Sequence, residues 1–418
     1  MSRHALGTPP RVVDFGFLRR GASAVGGFGL SVVLLGLVTL VAIPAMIVAE
    51  GAAGWGSIAV GQAIGIVASV AIMYGWGVTG PAAVARANFP QLRVEYSESL
   101  KVRLLLSVIV LAPAVGASAF FARVSPELGI LGCLSTALLG LRGNWVFVGR
   151  GEPVRLLVLE TLPRILGTLV GVIFMLWLGF GAVTGLLAQI TGCIAAIGAT
   201  SLWVYRHGGR SRSKMETRST RSLLLIHRHG VVASVTAAAF GSTPIILVGL
   251  LAPASLPTFA LLQRIMYQMS TASSPLADVL QGWVPRAPLG RVRKRAVTAF
   301  RLSAVFAGSL AGLFAILGPF VVDVLGASTV SAPYSAVLAT GVATGASLLA
   351  YVSGRAGLVP LGMMRQLTSN TLWGAGLGLT ATGILSSLAG ATGAMWGVAI
   401  GVGSQVVMNC ISLRRSRY

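Results

Sequence analysis

Two charged residues, Arg264 and Asp278, lie fourteen positions apart within PTFALLQRIMYQMSTASSPLADVLQGWVPR, the stretch from Pro257 to Arg286, which is uncharged up to its final arginine apart from these two. An arginine held away from water presents a planar fork of donors suited to phosphate or carboxylate oxygens. An aspartate in the same setting can couple to an ion. At 100° per residue, fourteen residues fall about 40° short of four turns, so both charges share one helix face. They are about 21 Å apart along the axis, too far to pair, and each must be satisfied by water or by neighbouring helices. Tyr267, Gln268, Thr271, Ser274 and Gln281 add polar atoms on or beside that face. Such a stripe calls for a hydrated cavity, with Arg264, Tyr267 and Gln268 as substrate contacts and Asp278 as an ion-coupling candidate.

The helix that carries them has to cross a membrane. The chain has 418 residues, is 55% hydrophobic and only 10% charged, and a single soluble core could not bury that much apolar surface. Its apolar runs are about twenty residues long, the length a helix needs to cross a hydrocarbon core of about 30 Å. The alternating pattern of a membrane β-barrel is missing. Twelve spans are expected, near 25–49, 54–79, 103–122, 128–148, 155–178, 182–205, 230–251, 256–284, 298–320, 332–353, 368–388 and 391–412. The first is too long for the core of a signal peptide and is read as a retained helix.

Charge placement orients these spans. With both termini in the cytoplasm, 30 of the 32 Lys and Arg residues fall on the inner face or at helix ends beside it; Arg123 is outside and Arg264 is within a span. One span more or fewer would move every later cluster to the wrong face. The net charge of +22 therefore reflects orientation and contact with anionic lipid, and no nucleic-acid partner is expected. The longest polar stretch, Arg206 to Arg228, separates two six-helix lobes, giving 1–205, a basic cytoplasmic linker at 206–229, and 230–418. His207, His227 and His229 lie at this linker and are read as surface residues. The outer connections are too short to hold a domain.

Arg264 lies about eight residues, or about 12 Å, inside the eighth span. Placing arginine at the centre of a membrane helix costs about 2.5–3.5 kcal/mol on insertion scales, so a cavity, a partner or snorkelling has to compensate. A second group sits in the first lobe: Arg142 and Asn144 at the end of span four, Glu160 and Arg164 at the start of span five. The i, i+4 spacing of Glu160 and Arg164 favours an intrahelical pair. Arg142 has no local acid and could line a phosphate-binding vestibule. Cys133, Cys193 and Cys410 fall in apolar runs without metal-ligand spacing. No zinc-protease, phosphate-loop or nucleophile-elbow motif occurs, so neither an enzyme nor a cofactor is expected.

YGWGVTGPAAVAR at 74–86, NWVFVGRGEP at 144–153, FALLQRI at 259–265 with Pro285, and RAGLVPLGMMRQ at 355–366 together resemble the polysaccharide-biosynthesis flippases of the multidrug/oligosaccharidyl-lipid/polysaccharide exporter superfamily. The resemblance covers nearly the whole chain. It departs in the fourth span, where Val148 precedes Gly149 in place of an acidic residue or Gln. It implies a multi-pass protein of the inner (plasma) membrane that moves a lipid-linked anionic glycan, carried on a polyprenyl pyrophosphate, to the outer leaflet by alternating access, alongside other polysaccharide-assembly proteins. A cation-coupled drug antiporter of the same superfamily is the rival, although the interior of the first span lacks the acidic residue such proteins commonly use. A membrane-embedded glycan transferase is a further alternative, which the short outer loops disfavour.

Overall fold

The computed structural model describes residues 15–85, 87–207, 219–286, 288 and 291–415, without the side chains of 15–26, 221, 226–230, 232, 233 and 278. The N-terminal tail with Arg3 and Arg11, most of the basic linker, and the side chains of His227, His229 and Asp278 lie outside the described residues.

All the described regular structure is helical. Among the described residues nine helices are long and apolar enough to cross a membrane, and the chain is a multi-pass membrane protein. Two of the nine count double. Helix α1, Phe15–Met73, would be about 90 Å long if straight, far more than a bilayer needs. It is divided at Gly51, whose φ of 72° is open to glycine and strained for other residues. Helix α13, Met364–Arg415, is divided likewise at Ala389 and Gly390. The twelfth crossing is α10, Leu256–Trp283, whose Gln, Ser and Arg side chains keep it out of the nine.

Between them run α2 (Trp76–Ala85), α3 (Phe89–Phe121), α4 (Pro126–Ala137), α5 (Asn144–Arg150), α6 (Pro153–Leu156), α7 (Leu162–Leu176), α8 (Ala182–His207), α9 (Thr220–Leu251), α11 (Val292–Leu325) and α12 (Tyr334–Tyr351). The polar stretch expected to link the lobes is narrower than 206–229, because α8 continues to His207 and α9 begins at Thr220. Helix α3 starts at Phe89, well before the expected 103. A reciprocal capping box starts it there, with Asn88 accepting from the Gln91 backbone and the Gln91 side chain accepting from the Asn88 backbone. The fourth span is broken: α4 tightens into a 3₁₀ turn at Leu138–Leu141, the chain opens at 142–143, and α5 resumes.

The apolar cores divide along the membrane normal. At the end away from the termini one continuous core joins both lobes, taking in Ile47, Trp55 and Ile58 of α1, Val248 of α9, Phe259 of α10 and Met395 of α13. At the terminal end there are two cores, one around Trp76, Tyr96, Trp145 and Trp203 and the other around Leu280, Val292 and Val352. The lobes therefore share one core at one end and hold separate cores at the other, where only the start of α9, with Leu223, reaches across to the first-lobe core. Glycines permit the tight helix contacts within each lobe. A Cβ on Gly61 would overlap the Gly129 carbonyl oxygen, and one on Gly401 would press into the Gly378 backbone.

Candidate functional site: an arginine between the lobes

Arg264 is carried by α10 into a cavity of about 400 Å³ between the lobes. Trp55, Gln62 and Ile66 of α1 form one wall, Gly241 and Ile245 of α9 another, and Gln263 and Tyr267 of α10 complete it. No Asp or Glu is among the described residues that line this cavity. The Arg264 Nε is buried without a hydrogen-bond partner, and no ion pair to the guanidinium forms among the described residues. Tyr267 Oη donates to the Gly241 carbonyl at 2.7 Å, and Gln263 Nε2 donates to the same oxygen at 3.4 Å. Tyr267 and Gln263 are thus tied to α9, while the Arg264 Nε has no partner. Towards the terminal end lies a recess of about 320 Å³ lined by Tyr267, Ser270, Thr271, Ser273, Ser274, Ser347 and Tyr351, rich in hydroxyls and without a charged side chain among the described residues.

Gln268 does not belong to this cavity. Its Nε2 donates to the Gly36 carbonyl of α1 at 3.1 Å, across the lobe boundary, and it borders a separate apolar cavity of about 210 Å³ with Leu40 and Phe314. Asp278 lies on α10; its side chain is outside the described residues.

Arg142 and Asn144 belong to a different cluster, inside the first lobe. The expected Glu160–Arg164 ion pair is not formed among the described residues. Leu157–Thr161 is π-helical, which alters the one-turn spacing the pair requires, and Glu160 Oε1 instead accepts from the Gly143 backbone N–H at 2.9 Å. The opposite side of the same break is held by Arg103, which is 0% exposed. Its Nη1 donates to the carbonyls of Arg142 at 2.6 Å and Gly140 at 3.3 Å, where the 3₁₀ turn ends. Sequence reasoning took Arg103 for an interfacial cation. The one available signal was the Asn88-x-x-Gln91 cap, which starts α3 early and sets Arg103 fourteen residues inside it.

Twelve crossings in two lobes around an interlobe cavity define the fold of the MATE transporters. The chain is similar to a multidrug resistance MATE family transporter of the MOP superfamily in its inward-facing conformation, with 15% identity, a TM-score of 0.64, and coverage of 92% of this chain and 97% of that one. It is also similar to MATE in complex with MaL6 (16% identity, TM-score 0.60, coverage 94% and 95%) and to the outward-facing conformation of a multidrug resistance MATE family transporter (14%, 0.57, 94% and 94%). No family model matches the sequence, and no curated protein matches it.

Proposed function

We propose that the protein is a transporter of the inner (plasma) membrane that carries a lipid-linked anionic glycan, on a polyprenyl pyrophosphate, from the inner to the outer leaflet by alternating access. The observation that carries this reading is the Arg264 guanidinium in an interlobe cavity whose described lining has no carboxylate. A permanent cation with an unbonded Nε suits a diphosphate and repels a cationic drug. The neighbouring hydroxyl-rich recess suits sugars. The separation of the lobe cores at the terminal end, which the basic residues put in the cytoplasm, gives the substrate its entrance. Arg264 and Tyr267 are the head-group contacts, Gln268 supports α10 from behind, and other polysaccharide-assembly proteins supply and take up the glycan.

A second reading, drug efflux, is favoured by the likeness to multidrug resistance MATE family transporters. In proteoliposomes, wild type is expected to move a polyprenyl-diphosphate glycan, Arg264→Ala to lose at least 100-fold in rate, and Arg264→Lys to keep part of it. Unimpaired glycan movement by folded Arg264→Ala, together with uptake of a cationic dye by wild type, would establish the second reading instead. Asp278 is the proposed ion-coupling residue, and Asp278→Asn should make transport insensitive to sodium and pH gradients.

A further inference from the structure

A side pocket of about 230 Å³ lies inside the second lobe between α9, α10, α12 and the two arms of α13. It sits where two spaces already described meet. With the Arg264 cavity it shares Gly241, Gln263 and Tyr267, and with the hydroxyl-rich recess it shares Tyr267 and Ser347. No charged side chain lines it among the described residues. Its free polar groups are mostly acceptors, and the hydrogen bonds around it fix that. The Gly241 carbonyl can only accept, so Gln263, 5% exposed, meets it with its nitrogen, at 3.4 Å. The Thr371 hydroxyl spends its proton on the Leu367 carbonyl at 2.8 Å, so Gln405 also meets it with its nitrogen, at 2.9 Å. Both amide oxygens are left over, and neither accepts a bond among the described residues. Pro244 has no N–H to offer the carbonyl of Phe240, four residues back in the pocket wall. Thr382, 0% exposed, adds a hydroxyl without a partner.

An uncharged pocket with acceptors to spare calls for a neutral ligand rich in donors. A metal ion or an ammonium group would bring a charge that no carboxylate here balances, at a depth where an unpaired charge is costly. Sugar hydroxyls bring donors without charge, and Pro244, Met266 and Val402 give apolar walls for the C–H faces of a ring. The pocket is smaller than the roughly 300–1,000 Å³ of a drug-sized site and suits a single ring. Its place between the Arg264 cavity and the recess sets which ring that is: the one joined to the diphosphate, with the rest of the glycan running into the recess. We propose that this side pocket reads the first sugar of the lipid-linked glycan, with Gln263, Gln405 and Thr382 bonding its hydroxyls while Arg264 holds the diphosphate. On the glycan reading above, on which this site depends, selectivity between glycans arises here, because a pocket built to bond hydroxyls discriminates more sharply than an apolar one.

The test uses the purified full chain in lipid nanodiscs, with affinity read from thermal unfolding. The probes are polyprenyl diphosphate and the same lipid bearing one glucose, galactose, N-acetylglucosamine or N-acetylgalactosamine. Wild type is expected to bind at least one sugar-bearing lipid about tenfold or more tightly than the bare one. Gln405→Leu and Thr382→Val should each cut that preference about fivefold or more. Thr382→Val removes a hydroxyl that has no protein partner, so without ligand its thermal midpoint should be no lower than that of wild type. A preference lost without loss of stability is a result that a merely structural threonine does not give, and this variant carries the test if Gln405→Leu does not fold. Arg264→Gln should weaken every lipid alike and keep the ratio. Failure of wild type to bind any of the lipids would overturn the glycan reading and this site with it. Arg264-dependent binding of all the lipids with equal affinity, or a preference unmoved in both pocket variants, would overturn the site alone. Stabilisation by sodium chloride over choline chloride at equal ionic strength, lost in Gln405→Leu, would make the pocket a cation site and overturn the sugar assignment.

Discussion

The terminal halves of the two lobes solve one structural problem with different chemistry. Each fourth helix loses regularity before a left-handed glycine ends it, Gly151 in the first lobe and Gly362 in the second. The first lobe stabilises its break with ions, Arg103 on the carbonyls and Glu160 on the amide. The second lobe uses neutral groups around the π-helical turn Val352–Leu358. There Asn409 Nδ2 donates to Ser353 Oγ at 3.0 Å, and Asn370 Nδ2 donates to Asn409 Oδ1 at 3.0 Å and to Ser412 Oγ at 3.2 Å. A neutral network can be satisfied internally, as this one is. The ionic clamp of one Arg and one Glu leaves Arg103 Nη2 and Glu160 Oε2 buried without partners, so the first lobe carries the less complete network of the two.

Removing Arg103 should show the difference most strongly. Arg103→Ala strips the partner from two carbonyls and leaves Glu160 buried beside the remaining arginines. The expected loss is about 3–5 kcal/mol, enough to lower the thermal midpoint sharply or to prevent folding. Asn409→Ala removes one fully buried amide with two neutral bonds, for about 1–3 kcal/mol. Equal costs for the two substitutions, measured by thermal unfolding in one detergent, would mean that the lobes do not differ in this way.

Glu160→Gln sharpens the comparison because it preserves shape. The amide oxygen can still accept from the Gly143 N–H, so the break stays capped while the one carboxylate of the cluster disappears. A charged hydrogen bond becomes a neutral one, a change of about 1 kcal/mol, and Arg142 and Arg164 lose their nearby acid. Thermal stability should fall by about that amount. The counterpart Thr371→Val in the second lobe, which removes a 2.9 Å bond from Gln405 Nε2, should cost less, because that bond is neutral and exposed.

How much of this could be read from the sequence depends on whether a residue's role is set locally. The twelve crossings were legible because apolar length and the placement of basic residues are local properties. Arg264 was legible as the one cation deep in the outer half of a span. Arg103 and Arg164 looked like ordinary interfacial cations, since their burial depends on where α3 starts and on which helix packs against them. The Glu160–Arg164 pair was misjudged because i, i+4 spacing presumes a regular α-helix, and the π turn removes that premise. Gln268 was grouped with Arg264 because it falls on or beside the same face of the helical wheel. The wheel cannot tell that α10 separates two cavities.

That separation makes Gln268 the subject of the smallest effect expected. Its bond to the Gly36 carbonyl is a contact between the lobes close to the core that joins them. If α1 and α10 slide past each other as the lobes exchange ends, the bond exists in one state only, and Gln268→Ala biases the equilibrium by the worth of one neutral hydrogen bond, about 1 kcal/mol or a fivefold change in population. Distances between spin labels at the terminal ends of α8 and α12 should shift towards the closed arrangement by about that factor, with overall thermal stability changed by less than Asn409→Ala changes it. A bond kept in both states would leave the distribution unmoved, and Gln268 would then be a fixed tether between the lobes, lost to stability alone when removed.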